Sequence, residues 1–202
     1  RSDAIFQGLA SPRTMARVVP SYNQTQRTVA KEDRVLRPTA AQRRWLNLAG
    51  AGSVVGLIAY ALFAQYVLHL EACPLCIFQR VAFIAAGAIF LVAGLHNPAG
   101  LVACVYAVLG VAAAGAGAGI AGWHVYIQNL PADQVPSCGP GLDYMFDAFP
   151  VFEAIKMVFT GSGECAEINW SFLGLSMPGW ALVWFVLLSA LAIVANGTRV
   201  AK

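Results

Sequence analysis

Long stretches without charged residues make up most of the chain after residue 44. There is no Asp, Glu, Lys or Arg from Trp45 to Leu70 or from Val81 to Ala132. The second stretch is too long for one helix, and His96-Asn-Pro-Ala-Gly100 breaks it, since Asn-Pro and Gly are strong turn signals. A bilayer core takes about 20 apolar residues in a helix. The pattern therefore predicts four spans, at about 45–70, 77–95, 101–126 and 178–195.

Four spans place both termini on the same side of the membrane. Arg43 and Arg44 precede the first span, and Arg199 and Lys202 follow the fourth. Because cytoplasmic flanks are enriched in Lys and Arg, we expect both termini to be cytoplasmic and the long loop 128–177 to be periplasmic. The predicted fold is an all-α membrane protein, a four-transmembrane-helix bundle whose periplasmic loop carries a short amphipathic helix.

Two weaker patterns concern packing. In the third span, Gly110, Ala114, Ala118 and Gly122 recur every four residues, a spacing that lets helices approach closely in lipid. In the loop, Pro150–Gly161 is predicted to form the amphipathic helix, lying on the outer membrane surface. Its expected apolar side consists of Val151, Phe152, Ile155, Val158 and Phe159.

Composition supports a membrane protein and excludes other classes. Hydrophobic residues make up 58% of the chain and charged residues only 11%, against about 25% charged in soluble domains. This apolar content excludes disorder of the whole chain. Nucleic-acid binding is not expected, since the net charge of +3 does not come from a basic folded face.

The first 44 residues differ from the rest. They hold nine of the thirteen basic residues, three acidic residues and three prolines, with no sustained apolar period. This composition predicts a basic, disordered cytoplasmic arm over 1–44, followed by a membrane redox domain over 45–196 and a cytoplasmic tail over 197–202. No small-residue cleavage pattern follows the first hydrophobic stretch, so the arm is not interpreted as a secretory signal.

Five cysteines provide the candidate chemistry. Cys104 lies within the third span and is interpreted as a small hydrophobic residue. Cys73-Pro-Leu-Cys76 is a C-x-x-C unit at the start of the second helix, a spacing used for thiol–disulfide exchange and for metal binding. Zinc would require a second matching pair, which Cys138 and Cys165 do not form. The spacing therefore favours redox chemistry.

Arg80 strengthens the redox interpretation. It follows Cys76 by four residues, and thus lies one helical turn deeper on the same face. An arginine at membrane depth is costly and indicates a functional site, where it would stabilise negative charge on sulfur or on a reduced acceptor. The alternative is an arginine that snorkels to the interface.

These motifs resemble a known family. Cys73-Pro-Leu-Cys76-Ile-Phe-Gln-Arg80, then Cys138, then Gly163–Pro178 are similar to the bacterial disulfide bond formation protein B family, DsbB. The resemblance covers about 45–195 and does not include the arm. It implies an inner-membrane thiol oxidase that reoxidises the periplasmic dithiol oxidase DsbA and passes electrons through two Cys pairs to a membrane quinone, ubiquinone or menaquinone.

The resemblance also implies roles for individual residues. Cys138 would form the mixed disulfide with DsbA, with Cys165 as its partner, and Cys73 and Cys76 would form the quinone-coupled pair, with Cys76 facing the quinone. Arg80 and His124 would lie at the quinone site. An equal alternative for His124 is an interfacial residue in an aromatic belt beside Trp123 and Tyr126. Some relatives carry an acid at the position of Gln79, which is assigned no role.

Other functions remain open at this point. The chain could be a four-helix membrane scaffold or small transporter whose disulfides are purely structural, although it shows no internal repeat and no charged residue at mid-membrane. A metal-handling protein using Cys73, Cys76 and His69 would need further ligands. A homologue devoted to a dedicated partner oxidase is a third possibility.

Overall fold

Four long helices form the core of the structure. The computed structural model describes residues 38–131, 133–135, 149–150, 152–153, 156, 158 and 163–197. Cys138, most of the predicted arm and the end of the predicted tail lie outside them. The four helices are α1 (Ala40–Tyr66), α2 (Pro74–His96), α3 (Leu101–Gln128) and α5 (Met177–Asn196).

Each of these helices is long and apolar enough to cross a bilayer, which confirms the four predicted spans. Helix α1 begins at Ala40 rather than Trp45 and ends at Tyr66 rather than Leu70. The predicted span begins at the first residue after Arg43 and Arg44, whereas the helix includes both arginines in its first turns. Their charged side chains precede the apolar segment that is long enough to cross the bilayer. The compact unit of the fold begins at the same residue, Ala40.

The turn between α2 and α3 lies where Asn-Pro and Gly predicted it. Asn97 adopts the left-handed conformation (φ 46°) and its N–H donates to the Ala93 carbonyl, which ends α2. Arg43 of α1 donates from Nε to Asn97 Oδ1 at 3.1 Å. Asn47 of α1 and Asn196 of α5 exchange two hydrogen bonds of 3.0 and 2.7 Å. Polar contacts therefore join the start of α1, this turn and the end of α5 at one end of the bundle.

Small residues let α3 pack closely against α5. The buried positions of α3 are spaced alternately by four and three residues, which is the spacing of a heptad seam. They are Ala103, Ala107, Gly110, Ala114, Gly117, Ala121 and His124, followed three residues further on by Ile127. The predicted stripe shares Gly110 and Ala114 with this seam, and Ala118 is partly buried against the core. A strict four-residue spacing drifts by about 40° per step around the helix, so the stripe leaves the seam at Gly122. A Cβ at Gly122 would meet no neighbouring atom within 4 Å.

Between α3 and α5 lie two small elements, α4 (Gly163–Ala166) and a β-hairpin of Ser171–Phe172 and Leu175–Ser176. The hairpin turns through Leu173 and Gly174, both with positive φ (52° and 79°), as two-residue hairpin turns require. It was not predicted, because strands of two residues have no detectable hydrophobic period.

The described residues of the predicted loop helix are helical at Phe152, Glu153, Lys156 and Val158. Val158 is 2% exposed and packs with Leu75, Ile127 and Cys165, whereas Phe152 is 81% exposed. The other members of the predicted apolar side lie outside the described residues, so the position of this side on the outer membrane surface stays a prediction.

Replacement of Gly117 by Ala should destabilise the bundle. A Cβ at this position would overlap the ring of Phe185, which itself stacks on Phe83 with ring centroids 3.8 Å apart. We expect Gly117→Ala to lower the free energy of unfolding by about 1–3 kcal/mol, measured by denaturation in detergent micelles. The matched control is Gly119→Ala, where a Cβ meets nothing within 4 Å. Equal effects of the two variants would contradict the proposed close packing.

Candidate functional site

The start of α2 brings two cysteine sulfurs together. Cys73 is the N-cap residue, Pro74 takes the first helical position and Cys76 lies within the first turn. The two Sγ atoms are 3.1 Å apart. Backbone N–H groups at a helix start favour nearby negative charge. The geometry thus suits a dithiol that closes to a disulfide and whose second sulfur carries charge as a thiolate.

The same distance argues against a tetrahedral metal centre. Cys73, Cys76 and His124 present three ligand atoms within 4.8 Å of one another, so they form a possible metal-binding group in the described part of the chain. His69 is not a member of it. Two sulfurs bound to one tetrahedral zinc at about 2.3 Å would lie about 3.8 Å apart, which is wider than the observed pair.

A cavity of about 290 Å³ adjoins Cys76. Its walls are mainly aliphatic and aromatic, and they come from α1, α2, the hairpin and α5. Phe83 is its lining residue farthest along α2 from the cysteines. The aromatic lining residues are Tyr60, Phe83, Trp170, Phe172, Trp180 and Trp184. An apolar cavity with a few polar groups is the usual form of a small-molecule site.

The hairpin covers one wall of this cavity with aromatic side chains. Trp170 meets Tyr60 of α1 edge to face with ring centroids 6.2 Å apart. Trp180 of α5 donates from Nε1 to the Phe172 carbonyl at 3.0 Å. These contacts fasten the hairpin to two spans. The chain after Cys165 therefore contributes to the cavity beside Cys76, a connection that the sequence did not reveal.

Arg80 provides positive charge at the cavity. It lines the wall one turn after Cys76 and is partly buried. Its Nη1 donates to Gln65 Oε1 at 2.5 Å, and its Nη2 donates to the Ala61 carbonyl at 3.3 Å. Both acceptors belong to α1, so the guanidinium is held between two helices. Gln65 was missed in the sequence; its signal was a polar side chain inside a predicted span.

His124 lies near the C-terminal end of the α3 seam and contacts the cysteine site. Its Nε2 is 3.7 Å from Cys73 Sγ and 3.1 Å from the Cys165 carbonyl oxygen. Its Nδ1 is 3.1 Å from Gln79 Nε2. His124 is 2% exposed and Gln79 is 4% exposed. Gln79, which had no assigned role, lines the larger cavity and is the residue that links it to His124.

Cys165 lies close to the first cysteine pair. It is fully buried in α4 in a cluster with Leu75, Ile127 and Val158, and Cys73 packs against this cluster. A second cavity of about 60 Å³ is lined by Cys73, Cys76 and His124 together with Glu164 and Glu167. Cys76 lines both cavities. Of the predicted site residues, Cys73, Cys76, Arg80, His124 and Cys165 are brought together, and Cys138 lies outside the described residues.

The structure is a bundle of four membrane-spanning helices with two neighbouring cysteines, one of which, Cys76, lines both cavities. The protein therefore belongs to the class of helical membrane proteins that carry a thiol site. Comparison with known proteins identifies the family. The sequence model of Disulfide bond formation protein DsbB matches residues 43–195. The chain belongs to this family, which confirms the resemblance. It is therefore a multi-pass inner-membrane protein and a disulfide-forming oxidoreductase.

The sequences of individual relatives align with this chain over most of their own length. Disulfide bond formation protein B of Nitrosococcus oceani is 52% identical over 154 residues, which are 76% of this chain and 91% of the relative. The protein of the same name from Hahella chejuensis is 54% identical over 134 residues, 66% of this chain and 81% of the relative. That from Saccharophagus degradans is 51% identical over 156 residues, 77% of this chain and 92% of the relative.

The geometry of the first pair predicts a disulfide between Cys73 and Cys76. In a variant with Cys138→Ser and Cys165→Ser, mild oxidation should close this bond without loss of helix content, because the sulfurs already lie 3.1 Å apart. Mass spectrometry of peptides would show the bond, and Cys104 would remain available to alkylation after denaturation. A crosslink that includes Cys104 would contradict this arrangement.

Proposed function

We propose that this chain reoxidises a periplasmic dithiol oxidase of the DsbA type and passes the electrons through its two cysteine pairs to a membrane quinone. The observation that carries the proposal is that Cys76 lines both cavities. One cavity is also lined by Cys73 and His124, and the other is an apolar site beside Arg80. A single sulfur is thus exposed to a thiol donor on one side and to an apolar acceptor on the other.

Electron transfer begins at the second pair. A thiolate of the partner attacks the disulfide between Cys138 and Cys165, and a mixed disulfide with Cys138 forms while Cys165 leaves as a thiolate. The partner's second thiolate then releases Cys138 and becomes oxidised. Cys165 next attacks the sulfur of Cys73 in the disulfide of Cys73 and Cys76, and Cys76 leaves as a thiolate. Cys138 then attacks Cys165, which re-forms the second disulfide and releases Cys73. The burial of Cys165 beside Cys73 supports the transfer between them, because exchange requires sulfur atoms in contact.

The larger cavity fits a quinone. Its aromatic walls suit a flat apolar ring, and the Arg80 guanidinium can donate hydrogen bonds to a carbonyl oxygen. When bound, a quinone accepts two electrons and two protons. Cys76, at the start of α2, donates from its thiolate, and Arg80 stabilises the negative charge that develops. His124 reaches this cavity through Gln79 rather than by lining it.

Quinone reduction by the purified chain tests this proposal. With reduced DsbA as donor, the wild type should reduce a short-chain ubiquinone or menaquinone analogue, while Cys76→Ser and Cys138→Ser should fall to the background rate because each removes a carrier sulfur. Cys104→Ser, in the third span, is the matched control and should retain activity. Folded, oxidised wild type that reduces neither quinone would favour the alternative, a membrane scaffold or small transporter with structural disulfides.

The proposal also requires the cysteines on the periplasmic face and both termini in the cytoplasm. We place single cysteines in a variant without native cysteines, Ser171→Cys in the hairpin and Ala99→Cys in the turn between α2 and α3. Both positions are exposed and lie at opposite ends of the bundle. A membrane-impermeant maleimide should label the first in intact spheroplasts and the second only after lysis. The reverse pattern would exclude the proposed orientation.

A further inference from the structure

We propose that Cys73, His124 and Gln79 form a nucleophile–base–orienter triad, in which His124 takes the proton of the Cys73 thiol as Cys73 closes the disulfide with Cys76. The inference rests on the proposed function, which requires this bond to re-form in every cycle. It assigns Cys73 an activated role of its own and Gln79 a positioning role. Nucleophile, base and orienting group within hydrogen-bonding reach are the recurring arrangement for activating a thiol.

The first contact of the triad joins Cys73 to His124. Their Sγ and Nε2 atoms are 3.7 Å apart, within the range of hydrogen bonds to sulfur. The imidazole comes from α3, and Cys73 caps α2, so the pair connects two helices. His124 is almost fully buried, and a buried polar ring is normally held by specific partners. An interfacial histidine of an aromatic belt would instead point its ring toward the headgroups.

The second contact fixes the ring from its other side. Gln79 faces Nδ1 at 3.1 Å from a buried position on α2. In the structure it is the amide Nε2 that faces Nδ1, an arrangement in which the NH₂ donates to an unprotonated Nδ1. Because an amide carries both a donor and an acceptor, a half-turn presents the carbonyl oxygen, which can accept from Nδ1–H. With the carbonyl toward Nδ1–H, the Nε2 lone pair is left free for the thiol proton.

The third contact holds the proton after transfer. A carbonyl oxygen only accepts hydrogen bonds, and that of Cys165 lies 3.1 Å from Nε2. Once Nε2 has taken the proton from Cys73, its N–H can donate to this oxygen while Nδ1–H donates to Gln79. Both nitrogens of the imidazolium then have acceptors. The backbone that carries Cys165 therefore supports proton transfer at Cys73 independently of the Cys165 sulfur.

The step balances in electrons and protons. The sulfur of Cys73 forms a bond with the sulfur of Cys76, and the Sγ–H bond of Cys73 breaks as its proton passes to His124. Two electrons leave the pair through Cys76 to the quinone of the proposed function. The two thiol protons equal the two that the quinol gains. Other titratable groups that line the smaller cavity are Glu71, Cys76, Glu164 and Glu167, and Cys165 is buried in the cluster against which Cys73 packs.

Disulfide closure can be measured without quinone. In the full chain with Cys104→Ser, Cys138→Ser and Cys165→Ser, we treat the reduced protein with 2,2′-dipyridyl disulfide, which leaves a pyridyl mixed disulfide on Cys76. Attack by Cys73 then releases a second thiopyridone that is followed by absorbance. Mass spectrometry of the variant that also carries Cys73→Ser verifies that Cys76 accepts the label. The counterpart with Cys76→Ser gives the rate of labelling at Cys73. Labelling at a pH where Cys76 reacts first makes the rate of the second release a measure of attack by Cys73.

We expect His124→Asn to slow this release by about 100-fold at neutral pH, the contribution of a positioned general base. Gln79→Leu should slow it by about tenfold, the loss of one hydrogen bond to a charged group. Gln79→Glu keeps an acceptor at Nδ1 and should restore most of the rate. The matched control is His96→Asn, a histidine at the opposite end of the bundle whose ring contacts Tyr106, and its rate should equal that of the starting protein.

The pH dependence separates a base from a structural support. Hydroxide replaces a missing base, so the deficit of His124→Asn should shrink steadily from pH 6 to pH 9. A deficit that is constant over this range, or no deficit, would overturn the triad. Slow closure in the His124 and Gln79 variants, together with a wild type that reduces no quinone, would support the triad and exclude the proposed function. Normal quinone reduction by the wild type, together with equal closure rates in the starting protein and in the His124 and Gln79 variants, would support the proposed function and overturn the triad.

Discussion

Close packing of α3 against its neighbours along a seam of small residues is the constraint on which the site depends. In lipid the hydrophobic effect does not favour association of helices, so association depends on van der Waals packing. Gly and Ala allow the helix backbones to approach closely and to gain this contact. Gly117 receives the Phe185 ring in this way. The buried positions of α3 end at Ile127, and the heptad spacing of the seam continues to His124. Its imidazole therefore faces the bundle interior, where α2 presents Cys73 and Gln79.

Polar side chains in this bundle are concentrated at its two ends. At one end, the two buried asparagines Asn47 and Asn196 bond to each other, and Arg43 binds the turn at Asn97. At the other, Arg80 is held by Gln65, and His124 by Gln79. An unsatisfied polar group in hydrocarbon costs several kcal/mol. Because Arg80 and His124 are hydrogen-bonded to Gln65 and Gln79, this end of the bundle can hold a guanidinium and an imidazole beside the cysteines.

The position of Cys76 connects the two halves of the proposed chemistry. It lines the apolar cavity and the smaller cavity that reaches Cys73. The segment from Cys165 to Met177 contributes to both. Glu167 and Trp170 line the smaller cavity, and Trp170 and Phe172, directly before and within the hairpin, line the larger one. The loop that carries the second cysteine pair thus also builds the site next to the first.

The sequence by itself determined the number of spans, the break at His96–Gly100 and the C-x-x-C unit with Arg80 one turn deeper, because bilayer thickness, turn residues and helical spacing are local constraints. It identified the family through the same local motifs. The roles of Gln79 and Gln65, the hairpin and the true packing face of α3 depended on the tertiary structure. Each depends on which neighbouring helix a side chain meets. A drift of about 40° per step leaves Ala118 only partly buried and moves Gly122 off the seam, where Gly117 and Ala121 are buried instead.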